Sequence, residues 1–200
     1  MEAQATVPLR SGSRTSARGT LIIMAITAAV ILGVAYLSDR RDTTGEGALT
    51  AVTVTGSASG AAPVVGAKAP DFAALTSDGT AFKLSDYIGQ PVWLTFGASW
   101  CQPCRAENPD IEATYRKYGG EVAVLQVYMS EDAATVEDYA TRVGLTYITV
   151  PDPSERLAAE YRILGIPSHF FVDADGTLQQ IKIGSLDPAS MEAALAGIRE

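Results

Sequence analysis

Cysteine and histidine are scarce in this chain: two cysteines and one histidine among 200 residues. That is too little sulfur for a disulfide framework, and too few soft ligands for a zinc site. Basic residues are also short, 15 Lys and Arg against 23 Asp and Glu, for a formal net charge of −8. No broad basic face is available, which argues against a nucleic-acid partner. Internal repeats are missing. Enough apolar material remains for a core, since 47% of residues are apolar and only 19% charged. That balance excludes disorder throughout and suits one domain with appendages.

Apolarity is concentrated at Leu21–Leu37, LIIMAITAAVILGVAYL, a run without a charge. At 1.5 Å per residue it spans roughly 26 Å, slightly short of a hydrocarbon core of about 30 Å. Thr20 and Ser38 can extend it. Arg10, Arg14 and Arg18 precede the run, whereas Asp39, Arg40, Arg41 and Asp42 come after it and nearly cancel. The positive-inside rule then keeps residues 1–19 in the cytoplasm as a tail, makes 20–38 a signal-anchor helix and exports the rest of the chain. A cleaved signal peptide is the competing reading, but the run is long and Tyr36–Arg40 makes a poor cleavage site. No cysteine comes after the run for lipid attachment. Residues 39–66, rich in Thr, Gly, Ala and Ser, read as a flexible linker with a reach of about 30 Å.

From Ala67 to Glu200 the character is that of a folded α/β domain. Phe72–Leu75 and Ala81–Leu84 flank a Ser77-Asp78-Gly79 turn and predict a hairpin. Pro91–Gly97 and Glu121–Tyr128 are nearly continuous apolar runs, as buried strands require. Helices are expected over Cys104–Tyr118, with Pro109 kinking or restarting the first, over Ala133–Val143, and briefly over Ser154–Tyr161. Thr146–Val150, His169–Asp173 and Leu178–Ile183 read as strands, the last two joined by Asp173-Ala-Asp-Gly176. Asp187 and Pro188 open a final helix to Ile198. The pattern predicts α/β or α+β with a mainly buried central sheet.

The chemistry sits at Trp100-Cys101-Gln102-Pro103-Cys104, where a buried strand hands over to a helix. Two cysteines three apart in a first helical turn can reach disulfide distance. The first lies beside unpaired backbone N–H groups, which favour a thiolate and so a nucleophile. The second lies one turn deeper and attacks only after a mixed disulfide has formed at Cys101. Half a metal site and an inert staple are the bland alternatives. The first lacks further ligands, and the second constrains only a four-residue loop.

The segment Pro91–Pro109, PVWLTFGASWCQPCRAENP, resembles the active-site segment of the thioredoxin superfamily, and more narrowly that of the membrane-anchored TlpA/ResA-like thiol–disulfide oxidoreductases. Ala69-Pro-Asp-Phe72 resembles the opening of many redoxin domains, and Tyr161–Gly176 a second family signature. The likeness covers Gly66–Ile198. It implies a thioredoxin-like fold, a central mixed sheet flanked by helices, with an extra helix–strand insertion at Ala133–Val150. It implies Cys101 as attacking thiol, Cys104 as resolving thiol, and Pro167 as a cis-proline facing the disulfide, with the backbone of Ile166 pairing with substrate. Glu107 matches an acidic residue that ResA-like members hold near the dithiol, placed to exchange protons with Cys104; its alternative is a solvated helix glutamate. Trp100 is expected to pack beside the dithiol and touch substrate. No cofactor beyond the Cys101–Cys104 disulfide and no metal is implied.

Three positions depart from the pattern. Thr95 stands where classical thioredoxin has a buried aspartate, which weakens any claim to a fast general reductase. Gly97 replaces a bulky aromatic and is expected to open the surface above the thiols. His169, two after Pro167, reads as a satisfied, half-buried histidine. Gln102-Pro103 marks neither extreme of dithiol potential, and no basic residue lies between the cysteines. The resemblance then implies reduction of exported protein disulfides, as in apocytochrome c maturation, with electrons from a membrane partner. A thiol peroxidase would have a threonine three before the cysteine, where Ala98 stands, and a copper carrier of this fold would need CxxxC. A non-catalytic anchored binding module is the alternative of a different class.

Overall fold

The computed structural model describes residues 62–199. The expected tail, anchor helix and most of the linker lie outside the described residues, among which no helix is long and apolar enough to cross a membrane. The five linker residues that are described already join the domain at their end, because Gly66 N–H donates to the Leu178 carbonyl at 2.8 Å.

An antiparallel hairpin of β1 (Ala73–Leu75) and β2 (Ala81–Lys83) leads through a 3-10 turn at Leu84–Tyr87 into β3 (Val92–Gly97). Then come α1 (Gln102–Tyr118), β4 (Ala123–Met129), α2 (Ala133–Val143), β5 (Ile148–Asp152), α3 (Arg156–Glu160), β6 (Ser168–Val172), β7 (Leu178–Ile183) and α4 (Pro188–Ala196). The five-stranded sheet runs β5-β4-β3-β6-β7. The β5, β4 and β3 strands are parallel, while β6 and β7 return antiparallel, so the sheet is mixed as expected for a thioredoxin-like fold. The α2–β5 unit lies between β4 and β6 in sequence and adds the edge strand.

Every residue of β3 is buried. Successive side chains point to opposite faces, so the strand divides two cores. Leu94 and Phe96 join Phe72, Leu125, Val127, Leu157, Tyr161 and Phe170 on one side. Trp93 joins Ile111, Val124, Phe171, Met191 and Leu195 beneath α1 and α4 on the other.

Two local expectations change. The first helix starts two residues earlier than its pattern suggests, with Cys101 itself as N-cap, and it continues through Pro109 without restarting. Pro109 lies on the exposed face, so water can satisfy the Arg105 carbonyl that loses its helical partner. Gly97 does not open the surface above the thiols. It is buried beneath them: an added Cβ would lie 2.9 Å from Gln126 Nε2 and 3.4 Å from Cys104 Sγ. The missing side chain lets helix α1 settle on the end of β3. Gly97→Ala should therefore cost about 1–3 kcal/mol by overpacking, whereas Gly165→Ala, with nothing within 4 Å of its added Cβ, should be nearly neutral. Urea unfolding of both oxidised variants measures the contrast, and equal midpoints would remove the close-approach argument.

Candidate active site

Helix α1 presents Cys104, Glu107, Asn108 and Ile111 toward the sheet, positions spaced so that they share one helical face. All four are buried. Ile111 meets the apolar core around Trp93. One turn nearer the helix start the facing sheet becomes polar: Thr95 pairs in register with Gln126 on one side and His169 on the other, so these three side chains form one row on one face. Glu107 and Asn108 sit over that row. Above it is the dithiol.

Cys101 and Cys104 form a disulfide, with Cα atoms 5.3 Å apart. Cys101 Sγ accepts the Cys104 backbone N–H at 3.2 Å, so the sulfur itself caps the helix. Cys104 is sealed, and Cys101 is 6% exposed. Ile166 packs against the two cysteines and Ala98, and the Ile166–Pro167 peptide is cis, as the resemblance implied. Trp100, next to Cys101 in sequence, is 62% exposed, so it is not closely packed beside the dithiol as expected, while its ring stays accessible for the expected substrate contact.

Sequence reading missed the residues that hold this arrangement. The Glu131 carboxylate, just past β4, accepts the Ser99 backbone N–H at 2.8 Å and the Ser99 hydroxyl, tying down the loop before Cys101. Gln126 donates to Asn108 Oδ1 at 3.2 Å and accepts from the hydroxyls of Tyr128 and Tyr147. Asn108 in turn donates to the Tyr139 hydroxyl at 3.0 Å. A glutamine inside the otherwise apolar run Ala123–Met129 was the available signal for Gln126. Glu131 gave none, because an acidic residue after a strand is ordinary.

Glu107 is no solvated helix residue. It is 3% exposed, its Oε2 accepts the Leu186 N–H at 3.1 Å, and its Oε1 lies 3.4 Å from His169 Nε2. Burial raises its carboxyl to about 7, helped by the Asp110 charge and opposed by the Leu186 N–H. His169 is fully buried, not half-buried, and Nδ1 accepts the Trp93 indole N–H at 3.3 Å. Burial lowers its ring to about 4, with the Gly184 backbone pulling the other way. Among the described residues, four buried side-chain polar atoms complete no hydrogen bond. Three of them, Thr95 Oγ1, Glu107 Oε1 and His169 Nε2, belong to this layer. The described residues hold no cluster of three or more potential metal ligands.

A disulfide whose outer sulfur caps a helix, with its deeper sulfur above a buried carboxyl, is equipped for thiol–disulfide exchange. Known proteins agree. Residues 65–181 match the AhpC/TSA family. The chain is 35% identical over 141 residues to the thiol-disulfide oxidoreductase ResA of Geobacillus kaustophilus, covering 69% of this chain and 80% of that protein. It is 32% identical over 133 residues to the thioredoxin-like protein YneN of Bacillus subtilis, covering 65% and 78%. A Chlorobium tepidum crystal structure assigned as the thiol:disulfide interchange protein DsbE superposes with a TM-score of 0.64 at 27% identity, covering 70% of this chain and all of that one. The chain belongs to the AhpC/TSA family and is a thiol–disulfide oxidoreductase of the ResA/DsbE type.

Proposed function

We propose that this oxidoreductase reduces disulfides of exported proteins, those of apocytochrome c among them, from a position tethered to the outer face of a cell membrane. The observation that carries the reading is the placement of Cys101: it caps α1 and touches Ile166, whose backbone precedes a cis-proline. In the reduced enzyme the helix N-terminus favours a Cys101 thiolate. A substrate chain lies along Ile166 and Pro167 and against the exposed Trp100. The thiolate attacks one substrate sulfur, forming a mixed disulfide, and the other substrate sulfur leaves and takes up a proton. Cys104 then gives its proton to the Glu107 carboxylate and attacks Cys101 Sγ. The second substrate sulfur leaves with both electrons, and the Cys101–Cys104 disulfide is restored. Glu107 passes its proton to the departing substrate thiolate, and a membrane dithiol donor then returns two electrons to the disulfide and one proton to Cys104, releasing its other proton to solvent.

Trapping tests the order of attack. Cys104→Ala should accumulate a mixed disulfide through Cys101, and Cys101→Ala should give none and lose exchange activity by at least about 10³-fold. Adducts confined to the Cys101→Ala protein would reverse the two roles, and exchange surviving that substitution would favour a non-catalytic binding module.

The proton step makes a separate prediction. With its carboxyl near 7, Glu107 becomes a competent base as pH rises through neutrality, so resolution of the mixed disulfide should accelerate over pH 6–8. Glu107→Gln should abolish that rise and slow resolution by about 10²-fold. It should also lower the apparent Cys101 pKa, since a neighbouring carboxylate no longer opposes the thiolate. Stopped-flow exchange and alkylation rates against pH report both, and unchanged curves would return Glu107 to a purely structural role.

The topology is checked in cells. The Leu21–Leu37 run and the arginines before it support an uncleaved anchor, so the intact chain should fractionate with the membrane and lose Gly66–Glu200 to external protease. A soluble form starting after Ser38 would show cleavage instead.

A further inference from the structure

His169 is the chain's single histidine, and the exchange reaction gives it no task. We propose that His169 is a positioning residue for the dithiol reaction, a fixed N–H donor that orients the Glu107 carboxyl and leaves that carboxyl as the site of the exchangeable proton. This rests on the reading of Glu107 as the group that trades a proton with Cys104.

The hydrogen-bond directions fix the ring. Indole nitrogen can only donate, so the Trp93 contact at 3.3 Å makes His169 Nδ1 an unprotonated acceptor. The neutral ring then carries its proton on Nε2, the atom 3.4 Å from Glu107 Oε1. A small rotation closes that approach to a hydrogen bond. Protonating the ring would drive a second N–H into the Trp93 donor inside a sealed site, and burial works in the same direction. Imidazolium is therefore excluded on two grounds. Glu107 is meanwhile held at Oε2 by the Leu186 N–H, while its Oε1, which completes no hydrogen bond, faces the ring nitrogen at 3.4 Å. The arrangement lies one helical turn below Cys104.

The Gly184 backbone is a second acceptor near the ring proton, and the surrounding charges supply none. On α1, Asp110 adds negative charge near Glu107. On β3 the neighbours are Trp93 and Thr95, which do not titrate near neutrality. On β7, Lys182 stands opposite His169 in register but is exposed, and the Gly184 backbone comes after it. Asp187, next to Leu186, is exposed and spends its carboxylate on the start of α4. Among the described residues no lysine or arginine is buried.

Proton counting gives the pair a signature. Between about pH 4.5 and 6.5 the unfolded chain holds one proton on His169 and none on Glu107, while the folded pair holds one on Glu107 and none on His169. The totals match, so the pair contributes almost no pH dependence to stability there. Removing either member exposes the other. Without His169, folded Glu107 keeps a proton the unfolded chain has released, and stability falls as pH rises from 4.5 toward 7. Without Glu107, the unfolded chain binds a proton the folded ring refuses, and stability falls as pH drops from 6.5 toward 4.

The test compares wild type, His169→Phe, His169→Gln, Glu107→Gln and the double variant His169→Phe/Glu107→Gln. Resolution of a mixed disulfide is tracked against pH, together with the urea midpoint. Phenylalanine can stack on Trp93 and Phe171 but cannot donate, so His169→Phe should move the Glu107 inflection up by about one pH unit, a roughly tenfold slower resolution on its acidic side. Glutamine can accept from Trp93 and donate to Glu107, so His169→Gln should restore the inflection without being titratable. The double variant should show no inflection to move, and the two single losses should tilt the urea midpoint with opposite signs. In wild type the lone imidazole should give 15N signals of a neutral ring protonated at Nε2 from pH 5 to 8, a measurement that stands even where a variant fails to fold. An imidazolium signal in that range, or an inflection that responds to Glu107→Gln but not to His169→Phe, overturns the role of His169 alone. A profile indifferent to Glu107→Gln overturns the Glu107 reading and this inference with it.

Discussion

The site depends on how helix α1 meets the end of β3. Burying a helix against a sheet normally joins two apolar faces, and here the lower part does so through Ile111 and Trp93. Nearer the dithiol the same contact becomes polar on both sides, with Glu107 and Asn108 above Gln126, Thr95 and His169. A buried polar group costs free energy unless it is partnered, about 1–3 kcal/mol for each one left unmade. The layer limits that cost by interlocking: Asn108 and Gln126 close a network with three tyrosines, and Trp93 and Leu186 satisfy the outer atoms of the His169–Glu107 pair. Gly97 makes the approach possible at its tightest point.

That layer also sets the electrostatics of the sulfur chemistry. The two cysteines experience opposite influences along one helix. Cys101 lies at the N-terminus, among backbone donors that favour negative charge. Cys104 lies one turn inward, sealed and above a carboxyl that burial keeps near 7. The outer sulfur is thus suited to be a thiolate and the inner one to remain a thiol until a base accepts its proton. In the proposed exchange, one turn of helix divides the labour between two chemically identical residues.

Much of this was legible in the residues. Continuous apolarity marked the buried strands β3 and β4, and Asp187-Pro188 marked the start of α4. The CxxC at a strand-to-helix junction marked the dithiol. Apolar periodicity gave no sign of the polar part of the buried face, because a helix stripe is read from apolar side chains, and Asn108 carries none of that signal. His169 was placed as half-buried for the same reason: a lone histidine carries no sign of being sealed beneath a helix. Trp100 shows the converse, a large aromatic read as packing although it is 62% exposed. Boundaries shifted by two residues at β5, where Thr146 and Tyr147 answer to Glu112 and Gln126 instead of to the sheet ladder.

Thr95 gives the layer its chemical logic. A threonine hydroxyl at the centre of the row cannot accept a proton near neutral pH, so the sheet offers Cys104 no carboxylate from below. The acid is carried instead by α1 itself, three residues after the sulfur it would serve. Sulfur and carboxyl then move as one rigid element, and only the carboxyl's orientation and protonation remain to be fixed by the sheet. Oε2 is held by the Leu186 backbone ahead of α4, and in the proposed arrangement Oε1 is oriented by a ring whose tautomer Trp93 dictates. Moving the acid from strand to helix thus transfers the demand on the sheet from holding a charge to holding a hydrogen-bond direction, which a neutral, fully buried imidazole can meet at far lower desolvation cost than a carboxylate.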